Sequence, residues 1–157
     1  MARMGGYVAR LLGESPEMPA NRVKGRKLRV MSSLDIPDQK VAMIGDFVNF
    51  CCKHLGIEGG FELHLVDDRQ ANNIVTTAYC DPDLGIMKIY CKNRALPDVL
   101  RSIGHELTHL RQGEKGEIGP NPVTYAGGYL EDDANAKSGT MLKLFAKQHG
   151  MDRVYDQ

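Results

Sequence analysis

The residues with the clearest chemistry are His105, Glu106 and His109, which form a His-Glu-x-x-His pattern. Two imidazoles four positions apart share one face of a helix, so together they can bind one zinc ion. Glu106 lies beside the first of them, where water activated by the metal would need a base. The pattern predicts one Zn²⁺ per chain, with His105 and His109 as ligands and Glu106 as the general base.

The helix that must present these side chains is predicted from Pro97 to about Gln112. Pro97 suits the first helical position, Asp98 places negative charge at the positive end of the helix dipole, and Gly113 supplies a stop. An apolar stripe with the spacing i, i+4, i+8 and i+11 comprises Val99, Ile103, Leu107 and Leu110. At roughly 100° per residue, the two histidines fall on the side opposite this stripe. They should therefore face a cleft or solvent.

This segment resembles the zincin metallopeptidases, whose extended signature asks for uncharged residues around the same core. Four residues fit that signature: Ile103, Leu107, Thr108 and Leu110. Arg111 stands at a position where the signature prefers a hydrophobic residue. The metzincin branch of the family is excluded, because Gln112 and Lys115 occupy the positions of its glycine and its third histidine.

In the gluzincin branch, the third ligand is a glutamate on a later helix, followed four residues on by an Asp or Asn that supports a ligand histidine. Residues 129–135 resemble that element, and the resemblance gives these roles to Glu131 and Asn135. A helix over about residues 128 to 149 is predicted by an apolar stripe of Leu130, Ala134, Met141 and Phe145. Glu131 and Asn135 lie on the flank of this stripe. Asp133, Asp132 and His149 stay open as alternative third ligands.

The predicted fold is α+β. A minimal zincin-like domain is expected over residues 38–157, with a small mixed sheet packed on an N-terminal helix and on the active-site helix, followed by the ligand-bearing helix. The first helix covers residues 38–54 and ends at Gly56, and strands are predicted at 61–65, 74–80 and 86–91. Residues 1–37 lack sustained periodicity and are predicted to form a loosely structured basic arm. The likeness to small gluzincin-like domains, including short phage peptidases and immunity-repressor regulators, covers about residues 38 to 149.

Composition limits the partners and the compartment. The chain has 157 residues, of which 42% are hydrophobic and 25% charged, and its formal net charge is zero. A whole-chain electrostatic attraction to nucleic acid is therefore not expected, although the basic run from Arg22 to Arg29 could contact phosphates. No stretch has the length of a membrane-spanning helix or the pattern of a signal peptide. We therefore expect no membrane partner and a cytoplasmic protein, including a phage protein in its host cytoplasm.

These features predict a zinc-dependent endopeptidase that acts on a peptide or protein substrate. Such an enzyme needs a donor to the developing oxyanion, and Tyr129, Tyr125 and Arg111 are the candidates. The alternative is a non-catalytic zincin-like module that acts through its basic arm on nucleic acid or on a protein partner. Glu106 argues against this alternative, because a structural zinc site has four protein ligands and needs no base.

The strand predicted at residues 86–91 immediately precedes the active-site helix. In zincins, the strand at the edge of the sheet near the metal pairs with an extended peptide. An edge strand offers unpaired N–H and C=O groups to such a peptide. Lys88 and Tyr90, on one face of this strand, are the predicted determinants of substrate preference.

Overall fold

A computed structural model describes residues 8–10, 28–32, 36–72, 74–81, 84–116 and 128–156 of the chain. The fold is α+β with a small mixed sheet, as the sequence predicts. The elements are β1 (Val8–Arg10), β2 (Leu28–Ser32), α1 (Asp38–Leu55), β3 (Phe61–Val66), β4 (Ala78–Asp81), β5 (Ile86–Tyr90), α2 (Leu96–Glu114), α3 (Tyr129–His149) and α4 (Met151–Tyr155). No helix among the described residues is long and apolar enough to cross a membrane.

The sheet has five strands in the order β1-β2-β3-β5-β4. The three central strands β2, β3 and β5 run parallel, while β1 and β4 pair antiparallel at the two edges. Apolar residues at every second position bury one face of β3 and of β5, because successive side chains of a strand point to opposite sides. The buried side chains are Leu63, Leu65, Met87 and Ile89, which pack in one core with the helices.

Two strands belong to the segment for which a loosely structured arm was predicted. Residues 28–32 pair in parallel with β3, in a register that joins Leu28 to Phe61, and residues 8–10 pair antiparallel with β2. Leu28, Arg29 and Val30 alternate apolar and basic residues, which is the pattern of a strand with one buried face. These residues are therefore part of the sheet, and the rest of the predicted arm up to residue 35 lies outside the described residues.

Helix α1 matches its prediction closely. Its predicted apolar stripe is buried throughout, and comprises Val41, Ile44, Val48, Cys51 and Leu55. The helix ends where Gly56 adopts a φ of 74°, a left-handed conformation that glycine tolerates without strain.

Helix α2 continues one residue beyond its predicted stop at Gly113. The carboxylate of Glu114 accepts hydrogen bonds from the backbone N–H groups of Glu58 (3.3 Å) and Gly59 (3.1 Å). These contacts anchor the last turn of α2 to the connection between α1 and β3. The left-handed residue that follows the helix is Gly116, with φ 71°.

Candidate metal centre

The helices α2 and α3 pack closely against each other at Gly104. A Cβ atom at this position would lie 3.3 Å from Ser138 Oγ and 3.4 Å from Ser138 Cα. The Ser138 hydroxyl donates a 2.6 Å hydrogen bond to Arg101 O, which fixes the contact. Glycine inside a helix costs about 1 kcal/mol relative to Ala; its role here is to let α3 cross α2 one residue before His105.

This crossing brings three side chains together. The Nε2 atoms of His105 and His109 are 3.1 Å apart, and the carboxylate of Glu131 lies 3.3 Å from the first and 2.5 Å from the second. One ligand atom from each residue lies within 4.8 Å of the others. In the described part of the chain, this is the one group of three or more His, Cys, Asp or Glu side chains that could hold a metal ion.

The other candidates for the third ligand are occupied elsewhere. Asp133 accepts a hydrogen bond from Gln112 at one carboxylate oxygen and pairs with Lys137 at the other, at 3.1 and 2.9 Å. Asp132 is exposed. His149 stacks on Phe145 and hydrogen-bonds the carbonyl of that residue. The structure therefore places Glu131, and none of these three, in the cluster.

A residue that the sequence analysis did not assign to the site holds His109 in place. Gln112 is fully buried, and its side-chain amide donates to Leu130 O (3.0 Å) and to Asp133 Oδ2 (3.1 Å). Its Oε1 atom is then an acceptor, and it lies 2.8 Å from Nδ1 of His109. The neutral imidazole therefore carries its proton on Nδ1, and the lone pair of Nε2 points into the cluster.

Asn135 is the residue that the resemblance placed beside a ligand histidine. It lies on α3 one turn after Glu131, and its side chain lies close enough to His105 to raise the pKa of that ring. Each histidine thus has an amide neighbour, Asn135 for His105 and Gln112 for His109. Such partners orient the rings of metal ligands and tune their basicity.

Burial controls the charges around the cluster. Burial, together with the neighbouring His109, lowers the pKa of His105, which favours the neutral ring that a metal requires. Burial also raises the pKa of Glu106 to about 7; His109 opposes this shift and Glu131 adds to it. Glu106 can therefore exchange a proton near neutral pH, in a groove that it shares with His105.

The predicted oxyanion donors have different positions. Arg111 donates from Nε to Leu55 O at 3.0 Å, which attaches its side chain to the end of α1. Tyr129 is 72% exposed at the first residue of α3. Tyr125 lies outside the described residues. The assignment of an oxyanion donor stays a prediction.

The predicted substrate strand is not at an edge of the sheet. β5 pairs with β3 on one side and with β4 on the other, so its backbone groups are already used. Met87 and Ile89 face the helices, which leaves Lys88 and Tyr90 on the opposite face of the sheet from the cluster. The prediction that β5 receives a peptide is wrong, because the hairpin that joins β4 to β5 places β4 outside it.

β4 is the edge strand beside the cluster. Tyr90 donates its backbone N–H to Thr77 O. In an antiparallel pair only every second residue exchanges hydrogen bonds with the partner strand, so every second residue counted from Thr77 bonds to β5. The backbone groups of Ala78 and Cys80 consequently point away from β5. Cys80 lies near Glu106: burial raises the pKa of its thiol above the usual range, and the Glu106 carboxylate raises it further.

The basic run from Arg22 to Arg29, predicted as a possible phosphate contact, lies outside the described residues as far as residue 27. Its last two residues begin β2.

Comparison with known proteins assigns no family. No protein-family model matches the chain, and no curated protein matches its sequence. The function has therefore to be inferred from the cluster itself.

Proposed function

We propose that this protein is a zinc-dependent endopeptidase similar to the HExxH zincins. The observation that carries the proposal is the convergence of His105, His109 and Glu131 beside the buried carboxyl of Glu106. The first three offer nitrogen and oxygen donors, and the fourth offers a group that can take up a proton.

The donor set fits zinc. Tetrahedral zinc with ligands at about 2.0–2.1 Å separates its ligand atoms by roughly 3.3 Å. The Nε2 atoms of the two histidines are 3.1 Å apart, and Glu131 Oε1 is 3.3 Å from His105. His109 presents a lone pair in this direction because Gln112 holds the proton on the far side of its ring. When bound, zinc would polarise the scissile carbonyl and make water acidic enough to attack at neutral pH.

The number of ligands favours a catalytic site over a structural one. Structural zinc sites have four protein ligands, whereas catalytic sites have three and leave a position for water or substrate. The described residues contribute three ligands to the cluster. The non-catalytic alternative depends on the basic arm, for which the described structure offers no supporting observation.

Glu106 is the proposed general base. It follows His105 directly and lines the same groove, so its carboxylate can take the proton of the attacking water and then deliver it to the leaving amine. Without metal, burial raises the pKa of Glu106 to about 7. A bound zinc would lower this pKa, which would keep the carboxylate ionised and able to accept the proton.

The edge of β4 is the proposed position of the peptide. Ala78 and Cys80 turn their N–H and C=O groups outward, and α2 packs directly on β4. An extended peptide can add to such an edge as one more strand, with backbone hydrogen bonds that are independent of its sequence. This placement replaces β5 with β4 and keeps the substrate next to Glu106.

The test uses zinc-loaded protein and a denatured, fluorescently labelled protein substrate. Glu106→Gln preserves the size of the side chain but removes the base, so hydrolysis should fall by at least ~10²-fold while zinc stays bound. Asp132→Asn removes an exposed carboxylate from the neighbouring helix and should leave both hydrolysis and zinc content unchanged. Unaltered turnover in Glu106→Gln, or loss of its zinc, would contradict the proposed role.

A further inference from the structure

A groove of about 270 Å³ runs from the cluster to the start of β4. Its walls come from the residues just before and at the start of β4, from one face of α2, and from Asn135 on α3. His105 and Glu106 lie at one part of this groove. The part beyond them is polar, and it contains two arginines, Arg94 and Arg101.

Arg94 is held rigidly in the groove. Its guanidinium donates to Tyr90 O (2.7 Å), Asp98 O (2.9 Å) and Ser102 Oγ (2.8 Å). The hydroxyls of Ser102 and Thr77 are 3.4 Å apart, which links α2 to the residue just before β4. All three acceptors are neutral, so they orient the guanidinium without neutralising its charge. A preorganised cation of this kind binds a carboxylate with little loss of side-chain entropy.

Arg101 adds a second positive charge to the same wall. It lies on α2, three residues after Asp98, and is exposed. Within the described residues, neither guanidinium forms an ion pair with a carboxylate. Apart from Glu106 beside the cluster, Asp98 is the one acidic residue among those that line the groove. Two guanidinium groups against one carboxylate leave this part of the groove positive.

A peptide on the β4 edge would meet these charges. Side chains alternate between the two faces of a strand, so every second side chain of an added peptide points towards α2. We propose that the groove is a subsite for an acidic side chain of the bound peptide, with Arg94 and Arg101 as specificity-determining residues. This inference rests on the proposed peptidase function and assigns a class of substrate to it: peptides with Asp or Glu at one fixed distance from the cleaved bond.

The binding experiment uses the full chain carrying Glu106→Gln and loaded with zinc, so that peptides bind without being cleaved. Labelled decapeptide mixtures, acetylated and amidated at their ends, carry either Glu or Gln at one fixed position, and their affinities are compared by fluorescence anisotropy. Glu should bind about threefold to tenfold more tightly than Gln at one position, the range for a partly exposed, charge-assisted contact. Higher salt should reduce the difference.

Four further substitutions in this background locate the effect. Arg101→Gln should reduce the preference for Glu to less than about twofold. Asp98→Asn should increase it, because the competing carboxylate is gone. Lys53→Gln removes one positive charge from a separate groove near the end of α1 and should leave the preference unchanged. Arg94→Lys, checked for folding by circular dichroism, should lower it because lysine cannot reproduce the fixed guanidinium.

Equal affinity for Glu and Gln at every position would overturn the subsite, as would a preference that survives Arg101→Gln and Arg94→Lys. A preference that appears only with peptides whose C-terminal carboxylate is free would also overturn it, in favour of a site for a chain end. Failure of the wild-type protein to hydrolyse any peptide would refute the proposed function, and the binding data would still decide whether the groove selects acidic side chains.

Discussion

Gln112 shows how a single buried amide can determine the chemistry of a ligand. Its two N–H groups are used by Leu130 O and Asp133, so only its oxygen is available to His109.

Gln112→Met should weaken zinc binding about 10- to 100-fold, the usual effect of removing such a partner. Competition with a chelating dye measures this affinity. Gln148→Met, an exposed change on α3, should have no effect; equal affinities for the two variants would contradict the role given to Gln112.

Glu131 is the second residue whose role can be isolated. Glu131→Ala should abolish stoichiometric zinc binding, because it removes one of three ligands. Asp132→Ala should retain zinc, since that side chain is exposed. Zinc content after dialysis against a weak chelator distinguishes the two variants. A larger loss of zinc in Asp132→Ala would show that Asp132, and not Glu131, is the third ligand.

The residues of the site differ in how well the sequence predicts their roles. His105 and His109 share a face by helical spacing alone. Glu131 was assigned by resemblance to the gluzincin element, and its place on the flank of an apolar stripe agreed with that role without excluding the alternatives. Gln112 could not be found in this way, because its partners Leu130 and Asp133 lie on another helix. Its role exists only once α3 has packed on α2.

At the scale of elements, the α2–α3 crossing controls the position of Glu131. Gly104→Ala would place a Cβ 3.3 Å from Ser138 Oγ, a tight contact with a hydroxyl that is held in place by its 2.6 Å hydrogen bond to Arg101 O. The gain of about 1 kcal/mol in helix propensity should therefore be offset by displacement of α3, and zinc affinity should fall. Thermal unfolding and zinc titration measure the two effects separately.

The matched control for this prediction is Gly139→Ala on α3. A Cβ at that position meets no atom within 4 Å. This substitution should stabilise the protein by about 0.5–1 kcal/mol without changing zinc affinity. If Gly104→Ala behaved in the same way, the close contact between the helices would have no role in positioning the ligand.

The strands show where local sequence preference stops being informative. Residues 74–77 are rich in β-branched side chains and were included in a predicted strand from 74 to 80, yet β4 begins at Ala78. The Ile74 N–H donates instead to Arg69 O, and Val75 is 91% exposed. Pairing with β5 decides where β4 begins, because a strand needs a partner for its hydrogen bonds. The same long-range pairing made β4, and not β5, the edge.

For the whole molecule, zinc binding should be coupled to folding. A ligand at 100 times its dissociation constant adds about 2.7 kcal/mol of stability, which corresponds to roughly 5–10 °C in Tm for a domain of this size. Calorimetry with zinc and with EDTA measures the shift. His54→Ala, a histidine outside the cluster, should retain it, whereas His109→Ala should lose it. A Tm independent of zinc in the wild-type protein would exclude a site of this affinity.

The order and type of the helices could be read from sequence, whereas the extent of the sheet could not. Helices α1, α2 and α3 follow from apolar stripes within each segment. The pairing of Leu28 with Phe61 joins residues far apart in the chain. The strand pattern around Leu28 was hidden by the basic residues on either side of it. Parallel strand pairing of this kind is specified by tertiary contacts, since its partners are never joined by a short turn.

The order of the elements along the chain also sets the time at which the site can exist. Glu131 follows all five strands and α2, so during synthesis the two histidines appear well before the third ligand. Chains are made and begin to fold from the N-terminus. Until α3 has been made, a nascent polypeptide therefore has the proposed base, Glu106, but an incomplete set of ligands. Under the proposed peptidase function, this order would complete the active site only after the sheet has been synthesised, so an unfinished chain could not cleave its own strands.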